Sequence, residues 1–346
     1  MKYSRNKLNK AGQAIVAGDD VFKVAEAVTL IDDWRALHQP VLDDMSAQVG
    51  ELLSAGSIPV SFSSKRLKRM PSIIDKLKHN PTMGLGGVQD IGGARFAFED
   101  IPTLMSAYEL LQRTALEGFS LKATYNYVQR PKESGYRSIH FVYRYHSDDS
   151  DKDGMLVELQ IRTRLQHDWA TAVETAELIS QSSLKASAGD EHWQDYFKLV
   201  SAIFARREHQ PVADAFDSYH EADFCKQYDA VERKHRFTEQ LNALVGAVQM
   251  VSEHSFSKGY VVVHIDYRKK MAQLRHFKAD EIEAANELYS KVESSITRET
   301  GAVVLVSVSD MNELREAYPS YFLNAYEFIA ALQQFQDNCR MSGYIE

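Results

Sequence analysis

Cysteine is scarce in this chain, long apolar runs are missing, and positive charge is outnumbered. The only cysteines among 346 residues are Cys225 and Cys339. They stand far apart and match no metal-ligand spacing, which argues against structural zinc and reads as two free thiols in a reducing compartment. No run of about eighteen uninterrupted apolar residues occurs. Met1-Lys2-Tyr3-Ser4-Arg5 leads into a short amphipathic segment instead of an apolar signal core, so a soluble cytoplasmic protein with no membrane partner is expected. The formal net charge of -8 excludes a surface coated for nonspecific nucleic-acid binding, while leaving room for a local basic pocket. Two further absences matter. Gly84-Leu85-Gly86-Gly87 is followed by no Gly-Lys-Ser/Thr and preceded by no strand, so it is no phosphate loop. The acid-rich Asp148 to Gly154 lacks a twelfth-position glutamate and flanking helices, and reads as a hydrated hairpin tip, not a calcium loop.

What is present suffices for real cores: 44% of the residues are apolar, enough for one large domain or two ordinary ones. Residues 1 to about 55 read as helical, with Val41, Met45 and Val49 recurring every four residues. Ser54 to Pro59 breaks that pattern, Val60-Ser61-Phe62 is extended, and the cations Lys65, Arg66, Lys68 and Arg69 introduce a helix at about 71–78. Asp90 then stands at the entrance of a strand in which Gly92-Gly93 permits close backbone approach and Phe96 and Phe98 share a face. A helix from Ile101 to about Glu117 precedes three strands, at 121–128, 137–145 and 155–162. In the last of these Met155, Val157, Leu159 and Ile161 share one face, leaving Glu158, Gln160 and Arg162 in a row on the other. Taken alone, that row fits a wetted antiparallel face with a Glu158–Arg162 ion pair as readily as it fits the wall of a site. Likewise Ile139, Phe141 and Tyr143 leave His140 and Arg144 opposite. A helix after Thr163 carries His167, Thr171 and Glu174 on one face, and another spans about 192–207.

A second unit starts near Ala222, with a long helix from about Tyr228 to Glu253, strands at 260–266, 271–277 and 303–308, and helices near 282–296, 311–317 and 325–336. Three segments are therefore expected: a helical one over 1–60, a domain over 61–215, and a small α/β domain over 222–346. The fold class is α/β in the α+β sense, a mixed and mostly antiparallel sheet flanked by helices.

Four ordered motifs carry a resemblance. Arg66-Leu67-Lys68 with Ser72-Ile73 and Lys76, Asp90-Ile91-Gly92-Gly93-Ala94-Arg95, Gly135-Tyr136-Arg137-Ser138-Ile139-His140, and Val157-Glu158-Leu159-Gln160-Ile161-Arg162-Thr163 resemble the synthetase domain of the RelA/SpoT homologue family. The segment Tyr3-Ser4 to Ala11-Gly12, and Leu165-Gln166-His167 running into Trp169 to Glu174, look closest to the small toxin-type synthetases of toxin–antitoxin and phage-defence systems. The resemblance implies an ATP-dependent pyrophosphokinase acting on the 3′-hydroxyl of a guanosine nucleotide, which makes (p)ppGpp, or on the 3′ end of tRNA. A catalytically silent nucleotide-binding sensor using the same pocket is the alternative.

Position by position, the resemblance assigns Arg66 to stacking on adenine, and Lys68, Lys76 and Ser72 to the ATP side. It assigns Asp90 and Glu158 to catalysis and to holding Mg²⁺, with Glu158 also orienting or deprotonating the attacking hydroxyl. Lys132, Tyr136 and His140 fall on the acceptor side, and Arg95, Gln160, Arg162 and His167 in support. The His-Asp hydrolase domain of the long family members has no counterpart in the first 60 residues, so a one-way synthetase is expected. Residues 222–346 are expected to regulate it as a built-in antitoxin, with Tyr318 and Tyr321 as autoinhibitory plugs. The partners implied are the two nucleotides or a tRNA end, together with an antitoxin or phage trigger protein. Oligomeric state stays open.

Overall fold

The computed structural model describes residues 2–18, 20–68, 70–183, 190–239, 241–242, 259–266, 271–296, 300–307 and 321–346. Packing divides the chain into two compact units. One comprises Met1–Arg130 and Arg137–Arg164, the other Pro131–Tyr136 and Leu165–Glu346.

The first unit begins with helix α1 (Arg5–Ala17), whose amides are capped by the Ser4 hydroxyl and whose end is turned by Gly18 at φ 64°. Helix α2 (Val21–Ala55) buries Ile31, Trp34, His38, Val41, Met45, Val49 and Leu53. Their three- and four-residue spacing makes one apolar stripe. That stripe and helix α4 (Ile101–Arg113) cover one face of a five-stranded sheet. The strands are β1 (Phe62–Leu67), β2 (Gly92–Phe98), β3 (Phe119–Asn126), β4 (Ile139–Tyr145) and β5 (Leu156–Thr163), with α3 (Met70–His79) between β1 and β2. Their order is β1-β2-β5-β4-β3. Only β2 and β5 run parallel; the other pairings are antiparallel, which is the mixed, mostly antiparallel sheet expected.

The register sorts the side chains. Phe96 lies opposite Ile161, which lies opposite Ile139, and this apolar set faces the helices within the core. The residues between them therefore occupy the other face. One expectation fails here. Lys65 and Arg66 do not open a helix; they pair with Ala94 and Gly93 as part of β1. An edge strand tolerates such charges because only one of its sides is paired. Lys65 reaches Asp43 on α2, and α3 begins only at Met70. Arg69 lies outside the described residues.

In the second unit, α5 (Arg164–Ser183), α6 (Asp190–Arg207), α7 (Glu221–His235) and α9 (Tyr321–Met341) share a core rich in aromatic residues, including Trp169, Tyr196, Phe197, Phe204, Tyr228 and Phe328. A three-stranded antiparallel sheet, β7-β6-β8, is built from β6 (Gly259–Asp266), β7 (Met271–Lys278) and β8 (Gly301–Ser307), with α8 (Ile282–Ser295) packed on it. The small α/β architecture is present.

Two details differ from expectation. The helix expected from about Tyr228 to Glu253 starts earlier and is interrupted after His235, where Arg236 turns left-handed at φ 53°; helix resumes at Phe237, and residues 243–253 lie outside the described residues. The Glu232 carboxylate accepts from the Thr238 amide and hydroxyl and seals that end. The cysteines are not free. Cys225 on α7 and Cys339 on α9, both buried, form a disulfide with Cα atoms 5.6 Å apart. A sequence separation of 114 residues hides that pairing from any reading of spacing. The expected helix at 311–317 and the residue Tyr318 lie outside the described residues. Tyr321 opens α9, and its side chain lies outside them too.

Candidate active site

The polar face of the five-stranded sheet gathers most of the charged residues singled out from the sequence. Across the strands Arg66 is opposite Gly93, which is opposite Glu158. The bare glycine between them leaves the space above it open: a Cβ there would meet nothing closer than a backbone oxygen at 3.9 Å. One step along, Arg95 is opposite Gln160, which is opposite His140. Arg162, nearly inaccessible at 2% exposure, continues the row.

Hydrogen bonds lock this row together. Arg95 Nε donates to Gln160 Oε1 at 3.1 Å, and Gln160 Nε2 donates to Glu158 Oε1 at 2.5 Å. The second carboxylate oxygen, Oε2, lies 3.2 Å from His140 Nδ1. Burial works to keep the Glu158 carboxyl protonated, but the hydrogen bond and charge of His140, together with Gln160, more than offset it and lower its pKa.

Asp90 makes the second centre. Its Oδ2 is 2.8 Å from Lys68 Nζ and its Oδ1 is 2.9 Å from Lys76 Nζ. Burial opposes its ionisation too, yet the two ammonium groups hold its pKa down to about 2. Local folding explains the placement. The Lys68 amide donates to Ile91 O at 2.7 Å, bringing the end of β1 beside Asp90, and Arg35 Nε donates to Lys68 O at 2.8 Å. Lys76 lies one turn after Ser72 on α3, so the two share a side of that helix. The negative charge of Asp90 is a further, smaller influence that opposes ionisation of Glu158. Two carboxylates suit a hard divalent cation that takes its remaining ligands from phosphate oxygens and water. Among the described residues no group of three or more His, Cys, Asp or Glu side chains is placed to hold a metal.

Other residues singled out lie in the second unit. The Lys132 ammonium stands 5.1 Å from the centre of the Tyr136 ring, and that ring is half-buried against the helical core. The turn between them depends on Gly135, at φ 88°. Any Cβ there would come within 2.8 Å of Ser201 Cβ, and the Ser201 hydroxyl donates to Gly135 O. His167 is buried on α5, as are Asp168 and Thr171, so this helix is enclosed on several sides over its first turns. His140 belongs to the first unit and Lys132 and Tyr136 to the second, and the acceptor residues divide accordingly.

Two contributors escaped the sequence reading. Tyr127 sets its ring edge-on to His140 at 5.2 Å and stacks beside Tyr125 at 6.1 Å, fixing the imidazole that meets Glu158. The only trace in the sequence was the alternation of Tyr125 and Tyr127 along the third strand. Arg35, in the segment read only as helical, had no signal at all.

Comparison with known proteins bears on the same segment. Residues 65–179 match the model of the region found in RelA / SpoT proteins. Over 116 residues the chain is 34% identical to the GTP pyrophosphokinase YjbM of Bacillus subtilis, a stretch covering 33% of this chain and 54% of that protein. To the GTP pyrophosphokinase YwaC of the same organism it is 24% identical over 157 residues, 41% of this chain and 74% of the relative. The chain thus spans about half the length of YjbM. Among solved structures, the small alarmone synthetase 1 from Bacillus subtilis bound to its product pppGpp aligns over 52% of this chain and 94% of its own, with 21% identity and a TM-score of 0.45. Asp90, Arg95, His140, Glu158 and Gln160, together with the lysines on Asp90, all fall between residues 65 and 179, the stretch that matches the region found in RelA / SpoT proteins.

Proposed function

We propose that this chain transfers pyrophosphate from ATP to the 3′-hydroxyl of a nucleotide, with a guanosine nucleotide as the acceptor. The observation that carries this reading is the pairing on one sheet face of Asp90 under two lysines with Glu158 between His140 and Gln160. Transfer of this kind asks a protein mainly for in-line positioning and neutralisation of charge. The arrangement supports both. Lys68 and Lys76 are compact cations suited to a triphosphate, and the planar guanidinium of Arg66 suits the face of adenine. Glu158, kept ionised by its neighbours, accepts the hydrogen bond of the 3′-hydroxyl and aims it. A strongly basic carboxylate is not required, because little proton transfer precedes bond making in a loose transition state. Arg95 acts through Gln160 to hold that carboxylate still. Lys132 and Tyr136 are assigned to the acceptor's phosphates and base. Asp90 and Glu158 would hold Mg²⁺, which when bound supplies neutralisation of the phosphate charge.

The tRNA 3′ end is the second acceptor, favoured by the toxin-type look of the N-terminal and α5 segments. Because the donor is ATP, the cytoplasm is the compartment of action, where burial shields the Cys225–Cys339 bond from reductant. Residues 222–346 are proposed to regulate the synthetase over 61–215 as a built-in antitoxin, with Tyr318 and Tyr321 as the inhibitory pair, a phage protein as the trigger that releases it and a separate antitoxin as a further inhibitory partner. Truncation near residue 220 is a poor test, because Phe224, Tyr228 and Phe328 share a core with Trp169 and Tyr196. Replacing Tyr318 and Tyr321 by alanine in the full chain should instead raise activity.

The deciding experiment incubates the purified chain with ATP labelled in its β-phosphate, Mg²⁺, and separately GDP, GTP, adenine nucleotides and tRNA. Label passing to a guanosine nucleotide supports the reading as stated, and label on tRNA alone moves it to the toxin-type acceptor. Transfer to none of them, with or without the tyrosine replacements, would sink it; tight nucleotide binding without turnover would select the silent sensor.

A further inference from the structure

A cleft of about 480 Å³ lies entirely within the second unit, between the end of α6, the start of α7 and the middle of α9. It shares no residue with the sheet face described above. Its lining is divided by chemistry. Phe335 and Ala331 supply the accessible apolar surface, over a floor of buried Phe204, Phe224 and Ile203. The rim carries Arg206, Arg207 and His209 against a single acid, Glu221.

The rim is held in place. Arg206 Nη2 points to the carbonyl oxygens of Asp217 and Tyr219, each at 3.4 Å. His209 is turned out of the helix end in a left-handed conformation, φ 54°. The chain is closed beneath it by the Gln210 amide donating to Ala205 O at 2.8 Å. A non-glycine residue held in that conformation is uncommon and persists where its surroundings fix it. Arg207 is exposed at the mouth. Gln334 adds an amide from α9, able both to donate and to accept.

We infer that this cleft binds a mononucleotide, its base against Phe335 over the buried Phe204 and Phe224, and its phosphate on Arg206 and Arg207. Each part of the ligand meets its complement. A planar base suits the partly exposed ring of Phe335, and the guanidinium fork suits phosphate oxygens. The Gln334 amide and the Glu221 carboxylate suit the polar edge of a base or a ribose hydroxyl. The volume falls within the range of small-molecule sites, roughly 300–1,000 Å³. The excess of cations over acids at the rim, in a chain of net charge -8, selects an anion over a neutral aromatic compound. This site is additional to the synthetase reading and does not depend on it.

The test is isothermal titration of the full-length Glu158→Gln chain, so that nothing turns over, with 5′-AMP, 5′-GMP, adenosine and inorganic phosphate in separate runs. A mononucleotide should bind, adenosine and phosphate should each bind at least tenfold more weakly, and Arg207→Ala should weaken the mononucleotide by tenfold or more. Gln334→Ala, an exposed replacement that leaves the core untouched, should weaken it several-fold. Lys68→Ala, in the first unit, should leave this binding unchanged. Binding that Lys68→Ala abolishes and Arg207→Ala spares would overturn the inference, as would no mononucleotide binding at millimolar concentration. Equal affinity for phosphate alone would also defeat it, by removing any role for the aromatic lining.

Discussion

The two sheets among the described residues have contrasting uses. The five-stranded sheet rests one face on α2 and α4 and gives the other to Glu158, Gln160, Arg95 and His140. The three-stranded sheet gives both faces of its central strand to packing: Val261 joins the helical core and Val262 meets Ala285 and Tyr289 of α8. Adjacent residues of a strand point to opposite sides, so at Val261 and Val262 both sides of β6 are taken up by packing. Catalytic groups need a surface whose burial is not already required for stability. In this chain the wider sheet provides one, and the middle of β6 does not.

That contrast can be broken in both directions. The largest effect is expected from Glu158→Gln, which keeps the shape of the polar row and removes its anion. Transfer should fall by about 10²-fold or more while the thermal midpoint stays nearly constant, as circular dichroism would show. A midpoint that collapses with the activity would mean the row is structural. Serine at both Cys225 and Cys339 should do the reverse, lowering stability by about 2–4 kcal/mol in denaturant titration through loss of a loop constraint, with the sheet-face chemistry intact in the folded fraction. Val262→Asn places an unsatisfied amide between β6 and α8 and should cost about 1–3 kcal/mol, whereas Glu158 and Gln160 on β5 already have polar partners.

The smallest effect is a pH dependence centred on Asp90. Its folded pKa, about 2, lies below the ordinary value of about 3.9. Its ion pairs therefore add stability above the unfolded pKa, and that contribution is lost as pH falls through the folded one. Asp90→Asn should flatten the acid limb of the stability profile between about pH 4 and pH 2. An unchanged limb would show that Lys68 and Lys76 do not hold the carboxylate in solution.

Much of this contrast could be read from residues alone. The alternation in Met155 to Arg162 separates apolar from polar positions before any coordinates, and the four ordered motifs locate Asp90, His140 and Glu158. What stayed hidden has physical causes. Lys65 and Arg66 looked like a helix start because charge is common there, yet an edge strand accepts it as well. The end of α7 depends on Glu232 reaching forward to Thr238, a side-chain contact with no propensity signal. Arg35 and Tyr127 act through distance in space, as the cysteine pair does, and nothing in local spacing announces them.

That pair has a further consequence. The bond from Cys225 to Cys339 encircles the whole of β6, β7, β8 and α8, so the small sheet sits inside a covalent ring. A protease cutting anywhere between those two positions would open the ring without dividing the molecule. Such a nicked protein would migrate as one species without reductant and as two fragments with it.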